Sequence, residues 1–256
     1  MFVFLLIFSF SIGLSVGSFL NCLIYRLPQH KRILGRSFCP KCGQKITWFD
    51  LIPVLSFLKL KGRCRYCQQK ISWQYPLVEL ATGLLFAAAF LTLNYPVNYN
   101  NYFLLLLRSW FLITVLIFIF VYDLKYWLVE DKIVLPAALI IFIINLFSGY
   151  SFLNLALAGI IGIGFFALQY LITQGKGIGA GDLRIGLFIG LSLGWPKILI
   201  ALLIAYLIGS LTALFFLISG RKKITSRIPL GPFLSLGSLI TLFYGQEILE
   251  KIFSIF

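Results

Sequence analysis

The chain has 256 residues, of which 60% are hydrophobic and only 12% charged, with a mean hydropathy of +0.97. A soluble globular domain carries about 25% charged residues, so this composition excludes one and indicates an all-α polytopic membrane protein. The formal net charge of +14 invites a nucleic-acid reading, but the basic residues cluster between apolar spans. Lys and Arg mark the cytoplasmic side of short loops, so the charge records topology, with anionic lipid headgroups as natural neighbours.

Phe2 to Ile24 is the first apolar span. No basic residue precedes it, as the start of a secretory signal would require. Eleven Lys or Arg and a single acid, Asp50, follow between Arg26 and Lys70, which puts the N-terminus outside and this loop in the cytoplasm. A spanning helix needs about twenty apolar residues. On that basis further spans are expected at Pro76–Leu93, Phe103–Tyr122, Ile133–Phe147, Phe152–Ile172, Leu183–Leu193, Ile198–Ile218 and Leu230–Tyr244. That makes about eight transmembrane helices. It leaves Arg108, Lys197 and Lys251 as the only basic residues away from the cytoplasmic side. The basic groups at Lys125/Lys132, Lys176/Arg184 and Arg221-Lys222-Lys223 with Arg227 fit that parity, and so does the polar outer loop Asn94–Asn101. A boundary is expected near Gln74-Tyr75-Pro76, which divides the chain into a first helix at 1–25, a cytoplasmic loop at 26–75 and a helical bundle at 76–256. The Leu183–Leu193 span is too short to cross without tilt, thinning or shelter by neighbours.

Inside the basic loop, Cys39-Pro40-Lys41-Cys42 is followed by Cys64-Arg65-Tyr66-Cys67. Two such turns can present Cys39, Cys42, Cys64 and Cys67 tetrahedrally to one zinc ion. Disulfides and idle thiols are the alternatives, and a cytosolic location disfavours the first. A closed four-cysteine site is structural rather than catalytic. Cys22, in the first span, reads as a small packing residue.

Eight acids exist in all. Asp123 ends the third span. Asp182 follows Gly175-Lys176-Gly177-Ile178-Gly179-Ala180-Gly181, where glycine at alternate positions permits close backbone approach. An acid at the hydrocarbon border is costly and marks a functional site by default. Each aspartate also has a plainer reading, Asp182 as a helix cap and Asp123 as a salt-bridge partner of Lys125 or Lys132. Two aspartates sharing a site can hold one proton between them. One then activates water while the other protonates the attacked carbonyl, which is aspartic-protease chemistry. The competing chemistries lack residues: His30 is the only histidine, and no His-Glu-x-x-His sequence occurs. Glu130 and Asp131 read as a solvated turn, and Glu79, one turn into the second span, wants a polar partner. With Asp123 at a helix end and Asp182 at a helix start, the helix fields favour Asp182 as the base.

These residues fall in an order that resembles the type IV prepilin peptidases, bifunctional bacterial membrane enzymes. The resemblance covers nearly the whole chain. It includes Gly17-Ser18-Phe19-Leu20-Asn21, Arg26-Leu27-Pro28, the two cysteine pairs and Asp50-Leu51-Ile52-Pro53. It continues through Gly62-Arg63-Cys64-Arg65, Tyr75-Pro76-Leu77-Val78-Glu79, Asp123, Gly179-Ala180-Gly181-Asp182 and Pro229-Leu230-Gly231-Pro232-Phe233. The resemblance implies cleavage of the leader from prepilins and pseudopilins and N-methylation of the new N-terminus from S-adenosylmethionine, in the bacterial inner membrane. It implies catalytic roles for Asp123 and Asp182, a substrate loop with Gly179 and Gly181, and zinc on the four cysteines in a loop linked to methyl transfer. No nucleic-acid partner is expected. Val129-Glu130-Asp131 stands where the family has a proline, and Arg184 where it often has lysine. No glycine-rich nucleotide-binding turn appears, so the methyl-donor site is left open, with Asp50 and Glu79 as weak candidates. The rival from another class is a transporter or assembly scaffold with a structural zinc loop, since broken helices and membrane acids also suit transport.

Overall fold

The computed structural model describes residues 1–33, 35–93, 99–220 and 228–254, without side chains for 99–101. The basic group at Arg221, Lys222, Lys223 and Arg227 lies outside the described residues, as does most of the polar loop at 94–101. Among the described residues there are helices and turns and no strand beyond two isolated bridges. The chain divides into two compact units, Met1–Pro96 and Val97–Phe256.

The first unit holds α1 (Phe2–Arg26), the short α2 (Leu55–Lys59) and α3 (Gln74–Thr92). α1 and α3 pack along one another. Gly17 is why they can: a Cβ there would lie 2.7 Å from the Cα of Glu79, a separation only glycine permits. The inner ends are tied by Asn21, whose amide donates to the Tyr75 carbonyl at 3.0 Å and accepts from the Gln74 amide at 3.2 Å. The loop at 26–75 is therefore closed at its base. α3 goes by packing with α1, so the packing boundary falls one helix later than the composition change at residue 75.

The second unit holds α4 (Tyr99–Tyr126), α5 (Asp131–Phe147), α6 (Phe152–Thr173), α7 (Ala180–Leu193), α8 (Lys197–Ile218) and α9 (Gly231–Phe253). α6 packs on α7 and α8 on α9, while α9 also lies against α4, and α5 against α7. The α6–α7 crossing is a backbone contact in which Gly162 and Gly186 face each other with no room for a Cβ on either.

Among the described residues, five helices are long and apolar enough to cross a bilayer: Phe2–Gln29, Gln74–Thr92, Tyr102–Tyr126, Phe152–Thr173 and Lys197–Ile218. α5, α7 and α9 occupy the three remaining expected spans. α9 runs beyond the expected end at Tyr244 because its last turns carry polar residues on one side, where the Gln246 amide donates to Glu250 at 3.0 Å. α7 has 14 residues, about 21 Å of helix against a hydrocarbon core of about 30 Å.

The C-terminal carbonyls of α7 end inside protein. Arg108 of α4 is 7% exposed and donates to the Ser192 carbonyl at 2.6 Å and to Asn145 of α5. Asn145 donates in turn to the Leu191 carbonyl at 2.6 Å. The Arg108 guanidinium also lies over the Tyr150 ring, 5.0 Å from its centre. Arg108 thus departs from the charge pattern because it is a buried clamp on a helix C-terminus, where a cation meets the negative end of the dipole.

Candidate active site and metal centre

Asp123 lies in the last turn of α4 and is 7% exposed. Its Oδ2 accepts the backbone N–H of Gly231, the first residue of α9, at 2.8 Å. A Cβ on Gly231 would come within 2.6 Å of that oxygen, so only glycine lets the start of α9 sit against the carboxylate. Asp182 is the third residue of α7, and its Oδ2 accepts the N–H of Gly179 at 3.1 Å. This is the acidic half of a capping box; glycine has no side chain to return the bond. The plainer reading of Asp182 as a helix cap is therefore true of its bonding.

Asp123 makes none of the expected bridges to Lys125 or Lys132 among the described residues. Its partner is α9, an element more than 100 residues away by the sequence separation of 108. This removes the basis for dividing the roles of the two acids by helix field. Asp123 sits at the C-terminus of α4 but also at the N-terminus of α9, so both carboxylates face positive helix ends. The sequence reading counted only the helix each acid belongs to.

The turn at 127–130 is structured rather than simply solvated. The Tyr122 hydroxyl donates to Glu130 at 3.1 Å, and Arg184 of α7 pairs with Asp131 at 2.7 Å. A Cβ on Gly181 would meet Val129 Cγ2 at 2.5 Å. Gly181, Arg184, Val129 and Asp131 therefore dock the start of α7 on the α4–α5 turn, where the rigidity of a proline is lacking. Gly179 caps the helix and is exposed beside Asp182. Tyr206 of α8 ties that helix to α6, its hydroxyl donating to Gln169 at 2.8 Å. The sequence around Asp123 carries no signal for Gly231 as its partner, since 108 positions separate the two.

In the first unit the two cysteine pairs form matching turns. The Cys39 N–H donates to Gln44 and Gly43 N–H back to Cys39, both at 2.9 Å. The Cys64 N–H donates to Gln69 at 2.9 Å and Gln68 N–H back to Cys64 at 3.0 Å. Gly43 at φ +73 and Gln68 at φ +57 hold the same left-handed position. All four sulfurs lie within 4.8 Å of one another, with Cys39 Sγ and Cys67 Sγ 3.9 Å apart. Tetrahedral zinc with Zn–S bonds of about 2.3 Å needs sulfurs about 3.8 Å apart, so the cluster fits that ion. Asp50 accepts from the Arg65 guanidinium with both oxygens, at 2.6 and 2.7 Å, and from Thr47 at 3.0 Å. Arg65 holds its carboxyl below the usual carboxylate range. Glu79 accepts the Val54 N–H at 2.8 Å, the polar partner its place in α3 demanded. Asp50 and Glu79 are thus both ties between loop segments.

Residues 11–93 match the Bacterial Peptidase A24 N-terminal domain, and residues 110–214 match the Type IV leader peptidase family. The chain belongs to the type IV leader peptidase family. It is 35% identical to a prepilin leader peptidase/N-methyltransferase of Aeromonas salmonicida, over 96% of this chain and 92% of the relative. It is 34% identical to the protein of that name from Bacillus subtilis, over 94% and 95%, and 32% identical to one from Burkholderia pseudomallei, over 94% and 85%. No solved structure matches the chain. As a leader peptidase family member with five apolar spanning helices, the chain is a multi-pass membrane protein.

Proposed function

We propose that this leader peptidase family member cleaves the leader from type IV prepilins and pseudopilins with Asp123 and Asp182 as the catalytic pair, and then N-methylates the exposed residue. The observation that carries the reading is that Gly181 against Val129 and Arg184 on Asp131 seat the Asp182 end of α7 on the turn that follows Asp123, while Gly231 seats the start of α9 on Asp123 itself. One carboxylate takes a proton from water as its oxygen attacks the scissile carbonyl. The other gives its proton to the carbonyl oxygen. Collapse of the tetrahedral diol then breaks the C–N bond as the leaving nitrogen is protonated. Two acids sharing a site would hold their proton as a pair, and the helix fields leave either able to begin as the base. Gly179, open beside Asp182, and Gly181, packed on Val129, form the substrate loop of this reading.

Zinc on Cys39, Cys42, Cys64 and Cys67 would be structural. S-adenosylmethionine would supply the methyl group, the new amine displacing its sulfonium sulfur so that S-adenosylhomocysteine and a proton leave. Asp50 is fully taken up by Arg65 and Thr47, which leaves Glu79 as the acid to test for donor binding. We divide the function as a first helix at 1–25, a methyl-transfer loop at 26–75 and a peptidase bundle at 76–256. Packing assigns α3 to the first unit with α1. The basic loop supports a cytoplasmic face for both activities in the inner membrane. Nothing in the site favours a transporter, and no part of the reading needs nucleic acid. Mass spectrometry of a prepilin incubated with the enzyme and S-adenosylmethionine tests the proposal. Loss of the leader mass and gain of one methyl group is expected; an intact leader refutes it.

A further inference from the structure

The segment Trp48–Lys59 carries large apolar side chains that nothing in the first unit covers. Trp48 is 68% exposed, Phe49 54%, and Leu55 and Leu58 63% each. Contiguous exposed apolar surface of this kind marks an interaction face. Two contacts fix how deep the segment lies. The Val54 N–H is bonded to Glu79 at 2.8 Å, and Glu79 stands five residues inside α3, about 7.5 Å along its axis. The Phe57 ring packs on Trp73 at 4.9 Å. Trp73 in turn heads the exposed stripe Trp73, Leu77, Leu80 and Leu84, which recurs at helical spacing down the lipid-facing side of α3.

The loop therefore leaves α1, builds the cysteine turns, and dips back to a level beside the second turn of a membrane-spanning helix. Val54 at φ +62, a conformation that β-branched residues rarely adopt, makes the bend that returns it. At that level Phe57 of the segment packs on Trp73, the head of the exposed α3 stripe. Lys59, Lys61, Arg63 and Arg65 follow at once, and Lys45 precedes, with Asp50 the one acid of the loop and already neutralised by Arg65. Aromatic and aliphatic side chains flanked by cations suit the boundary between acyl chains and anionic headgroups.

We propose that Trp48–Lys59 is an interfacial anchor, inserted into the headgroup layer of an anionic leaflet, which holds the cysteine cluster against the membrane surface. The anchor rests on the membrane-spanning reading of α1 and α3, and not on either reaction.

The test uses the full chain reconstituted in phosphatidylcholine liposomes with and without phosphatidylglycerol. Leu55 and Leu58 are each replaced by a benzophenone amino acid and irradiated. Lipid adducts at both positions are expected, with phosphatidylglycerol enriched over its share of the bilayer. Adducts to polypeptide, or none, overturn the proposal; lipid adducts without enrichment overturn its anionic part. A second measurement avoids the unnatural residue. Wild-type emission should be quenched by brominated lipid more than that of Trp48→Phe, and equal quenching places Trp48 in water. Both readouts are independent of cleavage and methylation, so an inactive protein can still carry the anchor.

Discussion

The two acids differ from ordinary helix-end carboxylates in what they hold. Each accepts a backbone N–H at the start of a helix, Gly231 for Asp123 and Gly179 for Asp182. Asn keeps the shape and the acceptor oxygen but cannot exchange a proton. Asp123→Asn and Asp182→Asn should each lower leader cleavage by about 10²–10⁴-fold, the usual worth of a general acid or base. Methylation of an already trimmed pilin should persist in both, and near wild-type cleavage by either variant would sink the assignment. Gly231 is the sharper probe, because it touches the chemistry without taking part in it. With a Cβ 2.6 Å from Asp123 Oδ2, Gly231→Ala must push α9 and the carboxylate apart. Cleavage should fall at least about tenfold, as misplacement of about 1 Å at a reacting group does, with protein yield retained. An unaffected rate would mean that the Asp123–Gly231 contact is dispensable.

Among the elements, α7 depends most on its neighbours. Its C-terminal carbonyls have no water to turn to, and Arg108 and Asn145 supply the missing donors. Asn145→Ala removes a donor to Leu191 and the acceptor for Arg108 at once. It should cost about 1–3 kcal/mol for each buried group left unpaired, seen as a lower midpoint of thermal unfolding in detergent. Leu139→Ala, on an exposed face of the same helix, should change it little. Helix positions were legible in the sequence, because spans of about twenty apolar residues bounded by charge leave little choice in a bilayer. The clamp was not. Arg108 stood out only as a cation on the wrong side, since its partners lie on two other helices and one of them is a backbone carbonyl. The same limit applied to Glu130 and Asp131. Acids in a short turn look solvated until Tyr122 and Arg184 are seen to reach them.

Over the whole molecule, the cysteine turns and the aspartate pair fall in different compact units. The spacing of the cysteines announced their cluster, because two residues between thiols fit one tight turn each. The pairing of α3 with α1 was hidden, since composition changes at residue 75 while packing follows Gly17. Separate units predict separable lesions. Cys64→Ser should release zinc, measured by a chromogenic chelator or elemental analysis, and should impair methyl transfer before cleavage. Equal loss of both activities would show instead that the first unit supports the second in catalysis.

One end of α7 carries Asp182, and the other is fastened to Arg108 and Asn145 rather than to headgroups. A helix of about 21 Å so fastened does not feel the two faces of the bilayer pulling apart. Thickening the membrane should tilt or stretch the long helices around it while the working end of α7 keeps its height above the α4–α5 turn. Cleavage measured in liposomes of increasing acyl-chain length should therefore stay level across chain lengths that still accept the protein. Asn145→Ala, with the fastening cut, should turn that flat profile into one that falls as the bilayer thickens.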